Sequence, residues 1–387
     1  MLTILYPLAL ISLLTGTAAI YMAMIPAFPV EWLYYHYFIR KPIVWTIFIG
    51  TLLWTTLMTV VHGAFPAFVI IPLIIIGLSV VLAYKMHQEN AFPAVDFPEI
   101  ADEINNLPIE DEMQLAVIEY EGETRAYPLD YVVHHHIVND RFGEKIIALT
   151  YCAMCRSIIP FDVTDIGPLF VGSFKGANMI VADRKTKTFF QQATFQSIIG
   201  KLHPHTLEML PFQILPWSEV KKMTPMPAVA KVTEKDFRDF ELPIPGIWKK
   251  IIASESTPGM SAKARDTSFP ARTRVVGVID KLADPQVVYL KDELLAQGII
   301  NNTDLGILLV GFKKTVNAFK NNLDGKNLQI TLTEENTLLD ERTDTTWDIR
   351  GKYLSGAINT DLLPVAISDE YWFSWKRFHN ESKLIRL

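Results

Sequence analysis

The sequence predicts an α+β protein, with an N-terminal three-helix transmembrane anchor followed by two tandem homologous β-rich units. Three observations predict it. Residues 1–86 hold only four charges (Glu31, Arg40, Lys41, Lys85), although the chain has 36 Lys+Arg and 42 Asp+Glu. Short β-branched runs bounded by Gly, Asp or Pro dominate the remainder. A set of landmarks recurs at a domain-sized interval. The chain therefore divides into an anchor at 1–86, a first unit at 87–228, a linker or insertion at 229–274 and a second unit at 275–387.

In the anchor, apolar runs at 2–25, 43–61 and 64–83 are each long enough to cross the hydrocarbon of a bilayer as a helix. The first run lacks the basic start of a signal peptide. The segment "VEWLYYHYFIRK" between the first two runs predicts an interfacial belt of Trp32, Tyr34, Tyr35 and Tyr37 with basic ends. No carboxylate, Lys or Arg falls in mid-span, which favours anchoring over transport and makes the bilayer the first partner. The expected location is the cell (inner) membrane, multi-pass. Positive-inside counting of Arg40, Lys41 and Lys85 places the soluble part on the cytoplasmic side. A net charge of −6 excludes bulk attraction for phosphate backbones, so no nucleic-acid partner is expected.

The repeat is read from landmarks. Tyr127, Asp130 and Asn139 recur as Tyr289, Asp292 and Asn301, each shifted by 162. Phe161 recurs as Phe319, "DRKTKTFFQ" as "DERTDTTWD", and Trp217 as Trp375. Each unit reads as a hairpin, a short helix (129–136 in the first), several short strands and a Trp-led helix. The Asp/Thr turns at Asp183 and Asp340, kept in both copies, suggest a structural turn. Residues 229–274, polar and rich in Pro, Ser and Lys, have no counterpart.

The chain has two cysteines, both in Cys152-Ala-Met-Cys155. Two thiols at this spacing can close a redox loop or offer soft ligands to a metal ion, zinc or copper. The β-branched residues and Pro160 that follow argue against a thioredoxin-type helix. Four-coordinate zinc needs further ligands, and His134, His135 and His136 are the nearest donors. Aligning "VGFK" with the cysteine segment puts Val310 and Lys313 where Cys152 and Cys155 stand, and "LLAQG" where the histidines stand. Their joint absence suggests one pocket of Cys152, Cys155 and His135 or His136. A nearby imidazolium would then make Cys152 quick to alkylate at neutral pH. Common hydrolase and phosphate-loop templates find nothing. With no complete catalytic template, the rival class is a non-catalytic accessory subunit docked to other membrane-complex subunits.

At "HHIVND…ALTYCAMCRSIIPFD…GANMIVADRKTKTFFQQ" the chain resembles a prokaryotic family catalogued as domain of unknown function 3179. The resemblance covers most of residues 115–387, and the cysteine segment is its most specific part. It implies that His135, Asn139, Asp140, Cys152, Cys155, Asp183, Arg184 and Gln192 are motif residues, with Asn139, Asp140, Asp183, Arg184 and Gln192 as candidate cofactor-binding groups. Selenoprotein members imply redox use of the motif, and exported members imply an orientation opposite to the charge count. The sequence departs from the motif at Ala153 and His136, where the family has Pro and Glu.

Overall fold

In a computed structural model, residues 2–101, 107–232, 250, 254–279, 286–323 and 325–387 are described. The expected linker at 229–274 lies partly outside these residues. Its remainder is not loose, because Met260 and Ala271 are buried in the core around the cysteines.

Three helices, α1 (Leu2–Met24), α2 (Val30–His62) and α3 (Ile70–Lys85), are long and apolar enough to cross a membrane. They pack tightly at Gly16, where a Cβ would lie 2.6 Å from the Ser79 carbonyl oxygen. The interfacial belt is not a connection between spans. It forms the first turns of α2, whose 33 residues extend about 50 Å. The charges that suggest a loop are absorbed by neighbours. Arg40 is 1% exposed, donates from Nε to the Ala83 carbonyl at 3.1 Å and lies 3.7 Å from Glu89. Lys41 sits 4.5 Å over the Tyr84 ring, and Trp45 donates to the Tyr84 hydroxyl at 3.3 Å. Gly63, in the left-handed region at φ 67°, ends α2.

The body rests on the near ends of these helices. Phe170, Ile180 and Phe189 of one sheet pack on Ala18, Met22 and Leu33. Lys175 donates to the Met22 and Ile25 carbonyls at 2.8 and 2.7 Å, satisfying acceptors left open at the C-terminus of α1.

The body is mixed α+β, and its halves share a flanked hairpin, an antiparallel meander and a four-stranded sheet, although Val95–Asp96 and Glu208–Met209 widen the meander to five strands in the first half alone. The hairpin Gln114–Tyr120/Glu123–Pro128 is flanked by antiparallel Gln213–Pro216 and parallel Ala228–Val229. The hairpin Arg274–Val278/Val287–Leu290 is flanked likewise by Ile367–Tyr371 and Lys383–Ile385. Each hairpin leads into a seven-residue helix, Leu129–His135 or Lys291–Gln297. An antiparallel meander follows, Ile137–Phe142, Lys145–Tyr151 and Ile158–Asp162 in the first half. Its equivalent is Ile299–Asn302, Ile307–Phe312 and Thr315–Lys320. Four-stranded sheets running from Leu169 to Ile199 and from Ile330 to Ser355 complete the pattern.

The shared landmarks do the same physical work in each half. Asn139 donates to the Leu169 carbonyl and accepts from its N–H, both at 2.8 Å. Asn301 clamps Ile330 in the same way at 2.8 and 3.1 Å. Thr186 donates to Asp183 at 2.6 Å, and Thr343 to Asp340 at 2.8 Å.

One alignment changes. Ile137 faces Thr150 across its ladder, and Ile299 faces Val310. Val310 therefore stands at Thr150, not at Cys152. The second half has no counterpart of the cysteine loop. Its hairpin turns at Lys313 and Lys314, between strands ending at Phe312 and starting at Thr315.

Candidate functional site

Residues 152–157 join the strands Lys145–Tyr151 and Ile158–Asp162. The loop closes on itself through Arg156 N–H to the Cys152 carbonyl (2.7 Å) and Cys152 N–H to the Ser157 carbonyl (3.0 Å). A bond from Tyr371 N–H to the Cys155 carbonyl (3.0 Å) fixes it to the second half. Both cysteines are free thiols, Cys152 at 2% and Cys155 at 0% exposure.

The Cys155 sulfur meets a wired set of polar groups. Asn178 accepts at Oδ1 from Gln191 Nε2 (2.6 Å) and the Ala193 N–H (3.2 Å), so its Nδ2 must point the other way. There it donates to Cys155 Sγ at 3.0 Å. Ser157 Oγ lies 3.2 Å from the same sulfur and donates to Gln192 Oε1 at 2.8 Å. Gln192 in turn donates to the Thr150 hydroxyl at 3.0 Å. Buried polar groups are costly unless partnered, and these partner one another around one sulfur.

A carboxyl completes the site from the far half. Glu370 is buried on the strand Ile367–Tyr371 and accepts from Ser368 Oγ at 2.8 Å. Burial, reinforced by the charge on neighbouring Cys155, pushes Glu370 up to about 8. Burial alone would push Cys155 up as well, but the polar groups packed against it, the Cys152 thiol and the Ser157 hydroxyl first, outweigh it and bring that thiol down to about 7. Burial and then the neighbouring Cys155 push Cys152 well up. Cys155 is thus the thiol prepared to ionise. Against the expectation of a quickly alkylated Cys152 stand its burial and the upward push on its thiol.

The histidines go elsewhere. His135 Nδ1 lies 3.1 Å from the Pro93 carbonyl, and its ring meets Tyr131. His136 caps its helix in the left-handed region and stacks on Phe92 at 4.1 Å. Burial lowers it to about 4. Among the described residues no three His, Cys, Asp or Glu side chains gather as a metal site. The expected zinc or copper set of Cys152, Cys155, His135 and His136 is therefore not assembled.

Of the candidate cofactor-binding residues, only Gln192 reaches the sulfur network. Asn139 is the backbone clamp. Asp140 holds Tyr127 Oη at 2.6 Å and Arg125 at 3.2 Å. Asp183 organises its threonine turn, and Arg184 pairs with Asp96 at 2.8 Å. Sequence reasoning missed Ser157, Asn178 and Glu370. The first two stand in the quoted family segment, whereas Glu370 carries no local signal.

A family described as protein of unknown function, domain of unknown function 3179, matches residues 89–382. No curated protein matches the chain, and no solved structure does.

Proposed function

This chain belongs to the domain of unknown function 3179 family, and from that premise we propose that it is a membrane-anchored dithiol redox protein. Cys152 and Cys155 cycle between two thiols and one disulfide. Oxidation forms the S–S bond, releases two protons and passes two electrons to an external oxidant, and reduction reverses this. The observation that carries the reading is the Cys155 environment: a sulfur with an oriented amide donor, a hydroxyl and a second thiol around it, which stabilise the thiolate. Glu370, kept as the neutral acid by burial and by the charge on Cys155, is a proton donor for that sulfur when the disulfide is reduced. The helices α1–α3 serve as a multi-pass anchor, and the shared hairpin, meander and four-stranded sheet support descent of the two halves from one duplicated unit.

The test is to oxidise the detergent-solubilised full chain with a disulfide reagent and map Cys152 and Cys155 by mass spectrometry. An internal disulfide, restored to free thiols by dithiothreitol, is expected. Thiols that stay free in the folded chain but oxidise once it is denatured would overturn the reading. The sealing of both sulfurs favours the rival, an accessory subunit of a membrane complex in which the pair only packs. That role would survive Cys152→Ser.

A further inference from the structure

Between the two halves, on the outer side of the cysteine loop, lies a cavity of about 510 Å³. This is within the range of small-molecule sites, which favour such seams. Its charges are unevenly partnered. Asp369 is shared by Lys291, 1% exposed and in direct contact with it, and by Arg274 at 3.0 Å, so two cations already occupy one carboxylate. Arg156 also lines the cavity, and among the described residues only its backbone N–H, not its guanidinium, has a hydrogen-bond partner. Burial, then Arg274 and Arg156, lower the proton affinity of Lys291, which places Arg156 within its electrostatic reach. The Arg156 backbone is left-handed, at φ 64°, which an arginine adopts only at a cost. Nothing in the described fold uses the guanidinium that this strained residue presents. Around it Phe212, Ile214 and Ile158 supply apolar wall, Glu110, Glu112 and Asp130 add negative charge, and Lys314 adds one further cation.

We propose that this cavity is a binding site for a monoanionic organic carboxylate, its carboxylate on the Arg156 guanidinium and its apolar body on Phe212 and Ile214. A planar guanidinium matches a carboxylate with two parallel N–H donors. The carboxylates of Glu110, Glu112 and Asp130 outnumber the one further cation, Lys314, and so select against a dianion. The site stands whether or not the cysteines cycle.

The test is calorimetric titration of the detergent-solubilised full chain with 3-phenylpropionate, phenethylamine and phenyl phosphate. Saturable binding of phenylpropionate, weaker binding of phenyl phosphate and none of phenethylamine are expected. Arg156→Asn keeps a residue that tolerates the left-handed backbone and should weaken phenylpropionate by about tenfold or more. Arg156→Lys should recover part of that loss. Phe212→Ala, which leaves the loop untouched, should weaken it several-fold and serves if Arg156→Asn does not fold. Phenethylamine binding as well as phenylpropionate, phenyl phosphate binding more tightly, unchanged affinity in Arg156→Asn and Phe212→Ala, or no saturable binding of any probe would each overturn the assignment.

Discussion

Ser157 has one hydroxyl proton and two acceptors in reach, Gln192 Oε1 at 2.8 Å and Cys155 Sγ at 3.2 Å. While Cys155 is a thiol, Ser157 can donate to Gln192 and receive the S–H. Once the thiol ionises, the hydroxyl can turn its proton to the sulfur, and Gln192 Oε1 keeps Asn178 Nδ2 at 3.4 Å. Asn178 donates in both states. Asn178→Leu should therefore raise the Cys155 pKa by about one to two units, the loss of one hydrogen bond to a charged group. Thiolate absorbance against pH, in a Cys152→Ser background, reads this, and an unchanged titration would sink the role given to Asn178. Glu370 gives a pH dependence of opposite sign to that of Cys155. Its folded pKa of about 8 exceeds the ordinary 4.5, so the folded chain keeps a proton that the unfolded chain releases. Stability from this group is whole below about 4.5 and is lost as pH rises through 8, by about 5 kcal/mol at most. Cys155, at about 7 against 9, adds stability as pH rises between those values. Denaturation of Glu370→Gln and the parent across pH 5–8 should show the variant gaining relative stability as pH rises. A flat difference would remove Glu370 as a buried neutral acid.

At the scale of elements, legibility followed from what each landmark does. Asn139 and Asn301, and Asp183 and Asp340, could be matched in the sequence because each satisfies backbone groups that its fold leaves open, which only that side chain at that spacing can do. The hairpin after Tyr151 cannot be aligned from sequence alone, because a loop of changed length leaves no periodic trace and only the ladder fixes its register. The start of α2 looks like a connection in the sequence, since Arg40 and Lys41 resemble interfacial charge. Their packing against Ala83 and Tyr84 is a tertiary contact invisible to local pattern. The two clamps yield an ordered prediction. Each Asn→Ala change orphans a backbone N–H and C=O, at about 2–4 kcal/mol for the pair. Asn139 also donates to Asp96 Oδ1 at 2.7 Å and is fully buried, so Asn139→Ala should lower the thermal midpoint more than Asn301→Ala. Equal or inverted shifts would show that Asp96 adds nothing.

At the scale of the whole molecule, the dithiol site belongs to both halves. Cys155 and Glu370 are 215 positions apart, so no window of sequence could join them. What joins them is the strand Ile367–Tyr371, with Tyr371 bonded to the Cys155 carbonyl, and the helix Trp372–Phe378 behind it. Phe373 on that helix is 2% exposed and packs in one core with Cys152, Cys155, Met179 and Phe190. The second half thus acts as the lid that keeps water from the sulfurs. Phe373→Ala should cost about 3–5 kcal/mol, as a buried aromatic truncation does, but stability alone does not separate lid from ballast. Leu309→Ala removes bulk from a different core of the same half and should cost about 2–5 kcal/mol. Native-state labelling of the two cysteines with iodoacetamide, read by mass spectrometry, makes the distinction. Faster labelling is expected in Phe373→Ala and near-parental labelling in Leu309→Ala, because only the first opens a void against the cysteine loop. If both variants label alike at matched stability, the thiols are reached by global opening and the second half does not seal them locally.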